Sequence, residues 1–155
     1  LTGIPAEELA GPADDEAAPE DPRFIPAEKA MAEGDYATAI GVYEDILAQD
    51  PKNIAARAAR DNARLLGRLT DAAGTDPIAE ANAHPADVAA GFAAADAEAA
   101  AGDAESAFNR LLALMAVAPD RKPEIRDRLL ELFALFDPTD PRVLAARGKL
   151  ASALF

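Results

Sequence analysis

The sequence has no cysteine and a single histidine, His84, so it is short of the residues that most catalytic and metal sites require. Without a thiol, this chain can form no disulfide, thiol nucleophile or thiolate-bound metal. His84 precedes Pro85 at the end of a predicted helix, where we interpret it as a cation near a helix C-terminus. The acidic residues share no ligand spacing, and no glycine-rich phosphate loop occurs. We therefore expect no enzyme activity, no cofactor and no metal site.

Long apolar runs and strand patterns are also missing. No stretch of about 18 apolar residues is present, and no charged start is followed by an apolar segment, so neither a membrane helix nor a signal peptide is predicted. Runs of β-branched residues and Asn-Gly turns are absent. This composition predicts an all-α protein, and a cysteine-free chain fits a cytoplasmic location.

Positive charge is scarce. Fifteen lysines and arginines face 28 acids, giving a net charge of −13, which argues against nucleic acid or an anionic membrane as the main partner.

Residues 1–22 contain four prolines and no base, and we predict an extended acidic linker there, followed by one folded domain over residues 23–155. The acids of this linker are Glu7, Glu8, Asp14, Asp15, Glu16, Glu20 and Asp21.

A helical pattern repeats along the rest of the chain. Gly34 is followed by a potential capping residue, Asp35, then by apolar residues at helical spacing, and Asp50-Pro51 ends the segment. The same arrangement recurs 68 residues later at Gly102 and Pro119, and Pro85 stands midway between the two closing prolines. A period of 34 residues with small residues at helix crossings is typical of tetratricopeptide repeats.

The middle repeat departs from this pattern. Arg68 stands where the other repeats have Gly34 and Gly102, and Asp61 stands where they have Ala27 and Ala95. We predict a tetratricopeptide-like solenoid of about seven or eight helices with a degenerate middle repeat over residues 54–85; an ordinary bundle of amphipathic helices is the alternative. The predicted helices are Pro26–Glu33, Tyr36–Gln49, Asn53–Leu69, Pro77–Ala83, Ala86–Ala101, Ala104–Val117, Pro123–Phe136 and Asp140–Leu154.

A row of arginines marks the third predicted helix. Arg57, Arg60, Arg64 and Arg68 follow one another at spacings of three and four, which places them on one side of a helix. The row is either a solvated face or an anion-facing groove. Neutralisation by Asp61 and nearby acids favours the solvated face.

Two segments carry a resemblance to a known family. The first is Ala-Glu-Gly-Asp-Tyr at residues 32–36, and the second is Leu-Leu-Glu-Leu-Phe-Ala-Leu-Phe-Asp-Pro at residues 129–138. With the degenerate repeat between them, residues 23–155 resemble the C-terminal tetratricopeptide region of bacterial thioredoxin–tetratricopeptide co-chaperones, the YbbN-type or chaperedoxin family. The resemblance implies a cytoplasmic holdase that binds unfolded clients and docks on chaperonin or Hsp70-type machinery. It also implies a thioredoxin-like domain upstream, which agrees with a chain that begins at Leu1.

The resemblance and the repeat pattern predict two different contact surfaces. The resemblance places chaperonin contact on the C-terminal helix, where Gly148 is a departure that weakens helix formation. The repeat alone predicts a generic scaffold with a partner peptide in its concave groove. The C-terminal candidates are Arg142, Val143, Arg147, Leu150 and Leu154, and the groove candidates are Phe24, Met31, Asn62, Leu65, Phe92, Asp96, Arg126 and Phe133. Core packing or solvation is the alternative role for each groove candidate.

Overall fold

The computed structural model describes residues 21–155, and over that range it contains eight α-helices, two short 3-10 helices and no strand. The all-α prediction is confirmed, while the predicted linker lies outside the described residues except for Asp21 and Pro22. The helices are α1 (Ile25–Ala32), α2 (Tyr36–Gln49), α3 (Ile54–Asp71), α4 (Pro77–Ala83), α5 (Val88–Ala100), α6 (Ala104–Val117), α7 (Lys122–Phe133) and α8 (Pro141–Leu154).

Two hairpins, α1–α2 and α5–α6, close with the same turn. Gly34 and Gly102 adopt φ angles of 75° and 85°, in the left-handed region that favours glycine. In each turn the residue after the glycine donates its backbone N–H to a carbonyl five residues earlier, at 2.8 Å for Asp35 and 2.9 Å for Asp103. The side chains of these two aspartates then cap the next helix, accepting hydrogen bonds from the N–H groups of Thr38 and Ser106. The predicted equivalence of the two repeats is confirmed.

The middle repeat is not closed in this way. Because Arg68 replaces the turn glycine, α3 continues as a helix to Asp71, and the chain turns only at Gly74, with φ 85°. The next helix, α4, has seven residues and packs mainly against α5. The middle repeat therefore consists of one long helix and a short one that belongs to the following hairpin.

Some predicted helix ends shift by a few residues. The seventh helix ends at Phe133 instead of Phe136, since Pro138 disfavours helical geometry in the preceding residue and the last turn loosens before it. The fifth begins at Val88 instead of Ala86, because the side chain of Asp87 accepts the N–H of Ala90 and caps the helix there.

Two apolar clusters form the core, and α3 contributes to both. The first joins α1, α2 and the start of α3, where Ala56 and Ala63 pack beside Tyr43. The second is larger and joins α5, α6, α7 and α8, with Leu65 from α3 at its edge. Phe108 stands at its centre, edge to face with Phe133 at a centroid distance of 4.8 Å. Because α3 is shared, it sets how the two halves of the solenoid meet.

Replacing a turn glycine or a helix glycine by alanine should change the free energy of unfolding in opposite directions. Gly102→Ala adds a Cβ to a left-handed residue that has open space around it, so only backbone strain acts. We expect a loss of about 1–2 kcal/mol in the free energy of unfolding. Gly148→Ala, in the exposed interior of α8 and also in open space, should raise it by about 1 kcal/mol. Urea unfolding measures both, and shifts in the same direction would contradict this account.

Candidate functional site

A groove lies between α3 and α7, with α5 as its floor and α8 at one edge. Its volume is about 750 Å³. These are the first helices of successive hairpins, so the groove occupies the inner side of the solenoid. Five arginines and four acids line it together with three apolar residues. The lining residues are Arg57, Arg60, Asp61, Arg64, Phe92, Glu124, Asp127, Arg128, Leu130, Glu131, Ala134 and Arg147.

A buried carboxylate, Asp96 on α5, connects the helices that form the groove. It lines a smaller neighbouring cavity, which shares Phe92 and Arg128 with the groove. Asp96 is 3% exposed, and it accepts hydrogen bonds from Arg68 at 2.7 and 2.9 Å and from Arg128 at 3.1 Å. Arg68 comes from α3 and Arg128 from α7, so one carboxylate connects three helices. Hydrogen bonds to a charged group are stronger than neutral ones and fix the approach of both partners.

A second acid, Glu131 on α7, lines the groove itself and pairs with arginines of α3. Arg64 Nη1 donates to its Oε1 at 3.4 Å, and Arg68 Nη2 lies 2.6 Å from its Oε2. The second contact is out of line for a hydrogen bond, so that buried oxygen has no hydrogen-bond donor among the described residues. Glu131 is therefore held by ion pairs, and one of its two carboxylate oxygens accepts no hydrogen bond from a described residue.

Burial and charge oppose each other in this cluster. Burial favours a neutral Arg68, but hydrogen bonding to Asp96 and the charges of Asp96 and Glu131 outweigh it, so the pKa of Arg68 is raised. For Arg128 burial prevails over Asp96, and its pKa is lowered. Burial also raises the pKa of Asp61 despite its hydrogen bond with Arg60. The guanidinium groups nevertheless stay charged at neutral pH.

The arginine row is therefore not a solvated face throughout, and that preferred interpretation is wrong for its C-terminal half. The side chains of Arg64 and Arg68 are 33% and 26% exposed, and both are paired with acids on other helices. The sequence spacing identified the row, but those carboxylates come from α2, α5 and α7. Only tertiary structure brings them together.

Two cations at the groove make no ion pair with any carboxylate among the described residues. Arg57 donates to the carbonyl of Pro51 at 2.6 Å, and the guanidinium of Arg147 lies over the ring of Phe133 at 5.0 Å. Apolar surface lies beside them, since Leu130 is 43% exposed and the half-buried ring of Phe92 faces Arg128 at 4.5 Å. This combination suits an acidic, partly apolar ligand.

The predicted groove residues are scattered in the structure. Phe92 lines the groove, and Phe133 is buried beneath Arg147. Phe24 and Met31 pack in the first apolar cluster instead. Leu65 and Asp96 are buried, Asn62 is exposed, and Arg126 pairs with its neighbour Asp127. Binding by these residues stays a prediction. The sequence reasoning missed Leu130, whose exposure the apolar stripe of α7 did not reveal.

The predicted residues of the C-terminal helix also divide. Val143 and Leu150 are buried against α6 and α7, and Leu154 packs at the edge of the same core. Arg142 is held by Asp140 and by the carbonyl of Gly102, and Arg147 faces the groove. The outer face of α8, as we call it from here on, consists of Leu144, Ala145, Gly148, Lys149 and Ser152. Val143 and Leu144 are both apolar neighbours, so periodicity alone could not separate the buried one from the exposed one.

Removing the charge of Asp96 should loosen all three helices that it connects. Asp96→Asn keeps the shape but leaves Arg68 and Arg128 close together with less compensation. Because breaking a buried ion pair leaves an uncompensated charge, we expect the free energy of unfolding to fall by about 3 kcal/mol or more. The matched control, Asp127→Asn, breaks an exposed pair with Arg126 and should change it by less than about 1 kcal/mol. Equal effects in urea unfolding would contradict the central role of Asp96.

Comparison with known proteins agrees with this architecture. A family model described as tetratricopeptide repeat matches residues 68–155. Uncharacterized proteins of Mycobacterium tuberculosis and Mycobacterium bovis are each 39% identical over 126 residues, which is 81% of this chain and 41% of theirs. This chain thus spans less than half the length of these curated relatives, and no solved structure matches it. None of the described helices is long and apolar enough to cross a membrane. The matched family model, which covers more than half of the sequence, shows that the chain belongs to the tetratricopeptide repeat family.

Proposed function

We propose that this chain is the non-catalytic interaction domain of a cytoplasmic co-chaperone or holdase, which docks on chaperonin or Hsp70-type machinery through the outer face of α8. Tetratricopeptide repeats generally mediate protein–protein interaction, and that much holds for the family. The exposed outer face of a firmly anchored terminal helix carries the more specific proposal. The resemblance of residues 129–155 to the co-chaperone family supports it.

The outer face of α8 has the properties of a docking surface. Its opposite side is fixed in the core by Val143, Ala146 and Leu150, so the helix presents a rigid surface. Leu144 is 56% exposed and lies among small residues, with Lys149 beside them. Small side chains allow close approach of a partner, while one leucine and one lysine supply an apolar and a charged contact.

A charged substitution at Leu144 tests this docking. With the chain as bait in a bacterial lysate, we expect chaperonin or an Hsp70-type chaperone to be retained by the native chain and lost with Leu144→Asp. The matched control is Ile54→Asp, at the start of α3, where the side chain is 80% exposed and is not part of the outer face of α8. Circular dichroism confirms that both variants fold. Retention of chaperone by Leu144→Asp, or no chaperone on the native chain, would count against the proposal.

A second candidate function uses the groove between α3 and α7. Arg57 and Arg147, the two groove cations for which no described carboxylate forms an ion pair, lie with Phe92 and Leu130 around one cavity. This arrangement supports a generic scaffold that binds an extended acidic segment of a partner protein, with its carboxylates on the arginines and an apolar side chain on Phe92. The same groove is where an unfolded client of a holdase would be held.

Charge reversal in the groove separates the two functions. We expect Arg57→Glu combined with Arg147→Glu to release a groove partner from the same lysate experiment, because both cations then repel its carboxylates. Lys29→Glu combined with Lys52→Glu changes the charge equally at exposed positions outside the groove and should retain the partner. Quantitative mass spectrometry compares the samples. A groove partner should survive Leu144→Asp, and a partner lost with every variant would indicate unspecific charge effects instead.

A further inference from the structure

We propose that the acidic N-terminal segment of this same chain, residues 7–16, occupies the groove between α3 and α7 and has to be displaced by a partner. The contact itself is independent of any partner, whereas its regulatory consequence rests on the proposed function of the groove. Charge complementarity, the place where the segment joins the domain and the length of the tether support this assignment.

Charge complementarity points to this occupant. Residues 7–16 contain five acids, Glu7, Glu8, Asp14, Asp15 and Glu16, and no base. The groove holds two cations, Arg57 and Arg147, that no described carboxylate pairs with. Opposite charges on one molecule attract each other before any partner arrives.

The segment joins the domain beside the groove. The described chain begins at Asp21, and Arg23 Nη2 lies 3.7 Å from Oδ2 of Asp50. The next residue, Pro51, accepts a hydrogen bond from Arg57 through its carbonyl. The point of attachment and the first arginine of the groove therefore border the same loop, residues 50–53. An acidic segment attached there starts at the groove and not on the opposite side of the solenoid.

The tether is long enough for the acids to reach their partners. Asp14–Glu16 precede Asp21 by five to seven residues, which span up to roughly 17–25 Å when extended. The arginine row from Arg57 to Arg68 extends only about 16 Å along α3. The earlier pair, Glu7-Glu8, has a still longer reach, so that one segment can contact both Arg57 and Arg147.

The expected contact is weak and reversible. Exposed ion pairs contribute less than about 1 kcal/mol each, and they weaken as salt rises. Covalent linkage, however, gives an effective concentration in about the millimolar range, which favours a segment of the same chain over a second copy at lower concentration. The segment offers few apolar side chains to Phe92 and Leu130. A partner that fills this apolar surface as well can therefore displace it.

Paramagnetic broadening in NMR tests the contact directly on the whole chain. Because the sequence has no cysteine, Ala13→Cys provides a unique attachment site for a nitroxide label. We expect the label to reduce the amide signals around Arg57, Leu130 and Arg147, while those of α4 keep their intensity. In 1 M NaCl, where the screening length falls to about 3 Å, the lost signals should return. Full intensity at low salt, or broadening that persists in 1 M NaCl, would overturn the proposal.

Substitutions in the groove supply the matched control. Arg57→Gln combined with Arg147→Gln should restore the signals, whereas Lys29→Gln combined with Lys149→Gln removes the same charge outside the groove and should leave the broadening unchanged. Broadening that survives the arginine substitutions would overturn the proposal. A mixture of labelled chain and isotope-enriched unlabelled chain tests for a second copy. Broadening of comparable size in that mixture would show that the occupant is another molecule.

The NMR result on the intramolecular contact can be told apart from a failure of the proposed function. Broadening that depends on the two arginines establishes the intramolecular contact even if no groove partner is ever retained. If a groove partner exists, Asp14→Asn combined with Asp15→Asn and Glu16→Gln should retain more of it than the native chain does at equal salt. Unchanged retention of the partner would show that the segment does not regulate binding in the groove.

Discussion

The buried carboxylate of Asp96 is the point on which the arrangement of the helices depends. The apolar core is divided into two clusters, and α3 is the element that both share. At this junction α3 adds Leu65 and Leu69 to the larger cluster, and it also presents arginines to α5 and α7. Asp96 binds Arg68 and Arg128 and so fixes the position of all three helices. Burying such a network costs desolvation energy, so its contribution lies more in the position that it imposes than in net stability.

The degeneration of the middle repeat and part of the charge cluster have the same origin. Arg68 replaces the glycine that would end the helix, which lengthens α3 and sends a guanidinium to Asp96. Asp61 replaces the small residue of the other repeats, and it is buried beside Arg60. Residues that weaken the repeat as a packing unit thus contribute to the charge cluster between α3, α5 and α7. Of these two residues, Asp61 also lines the groove, whose remaining charges come from other positions of α3 and from α7 and α8.

The parts of the fold that depend on local chemistry could be predicted from the sequence. Gly34 and Gly102 define turns through backbone conformation, and Asp35 and Asp103 define helix starts through capping, so both hairpins follow from adjacent residues. The charge cluster could not be predicted. Its partners are 28 residues apart for Arg68 and Asp96 and 67 for Arg64 and Glu131, and helical periodicity does not tell which helix covers a given face. For the same reason, the sequence could not tell that Val143 is buried while its neighbour Leu144 is exposed; only the structure distinguishes them.

The groove and the outer face of α8 share one helix, and the way that helix is anchored determines how they can influence each other. Arg147 points to the groove, and Leu144 lies on the outer face. Between them, Val143, Ala146 and Leu150 are buried against the core. A packed interior resists small displacements, so movement of α8 in response to a groove ligand would require repacking this core. Electrostatic influence is also short-ranged at physiological salt. The structure therefore favours two sites that bind independently, with control exerted at the groove by competition for its arginines.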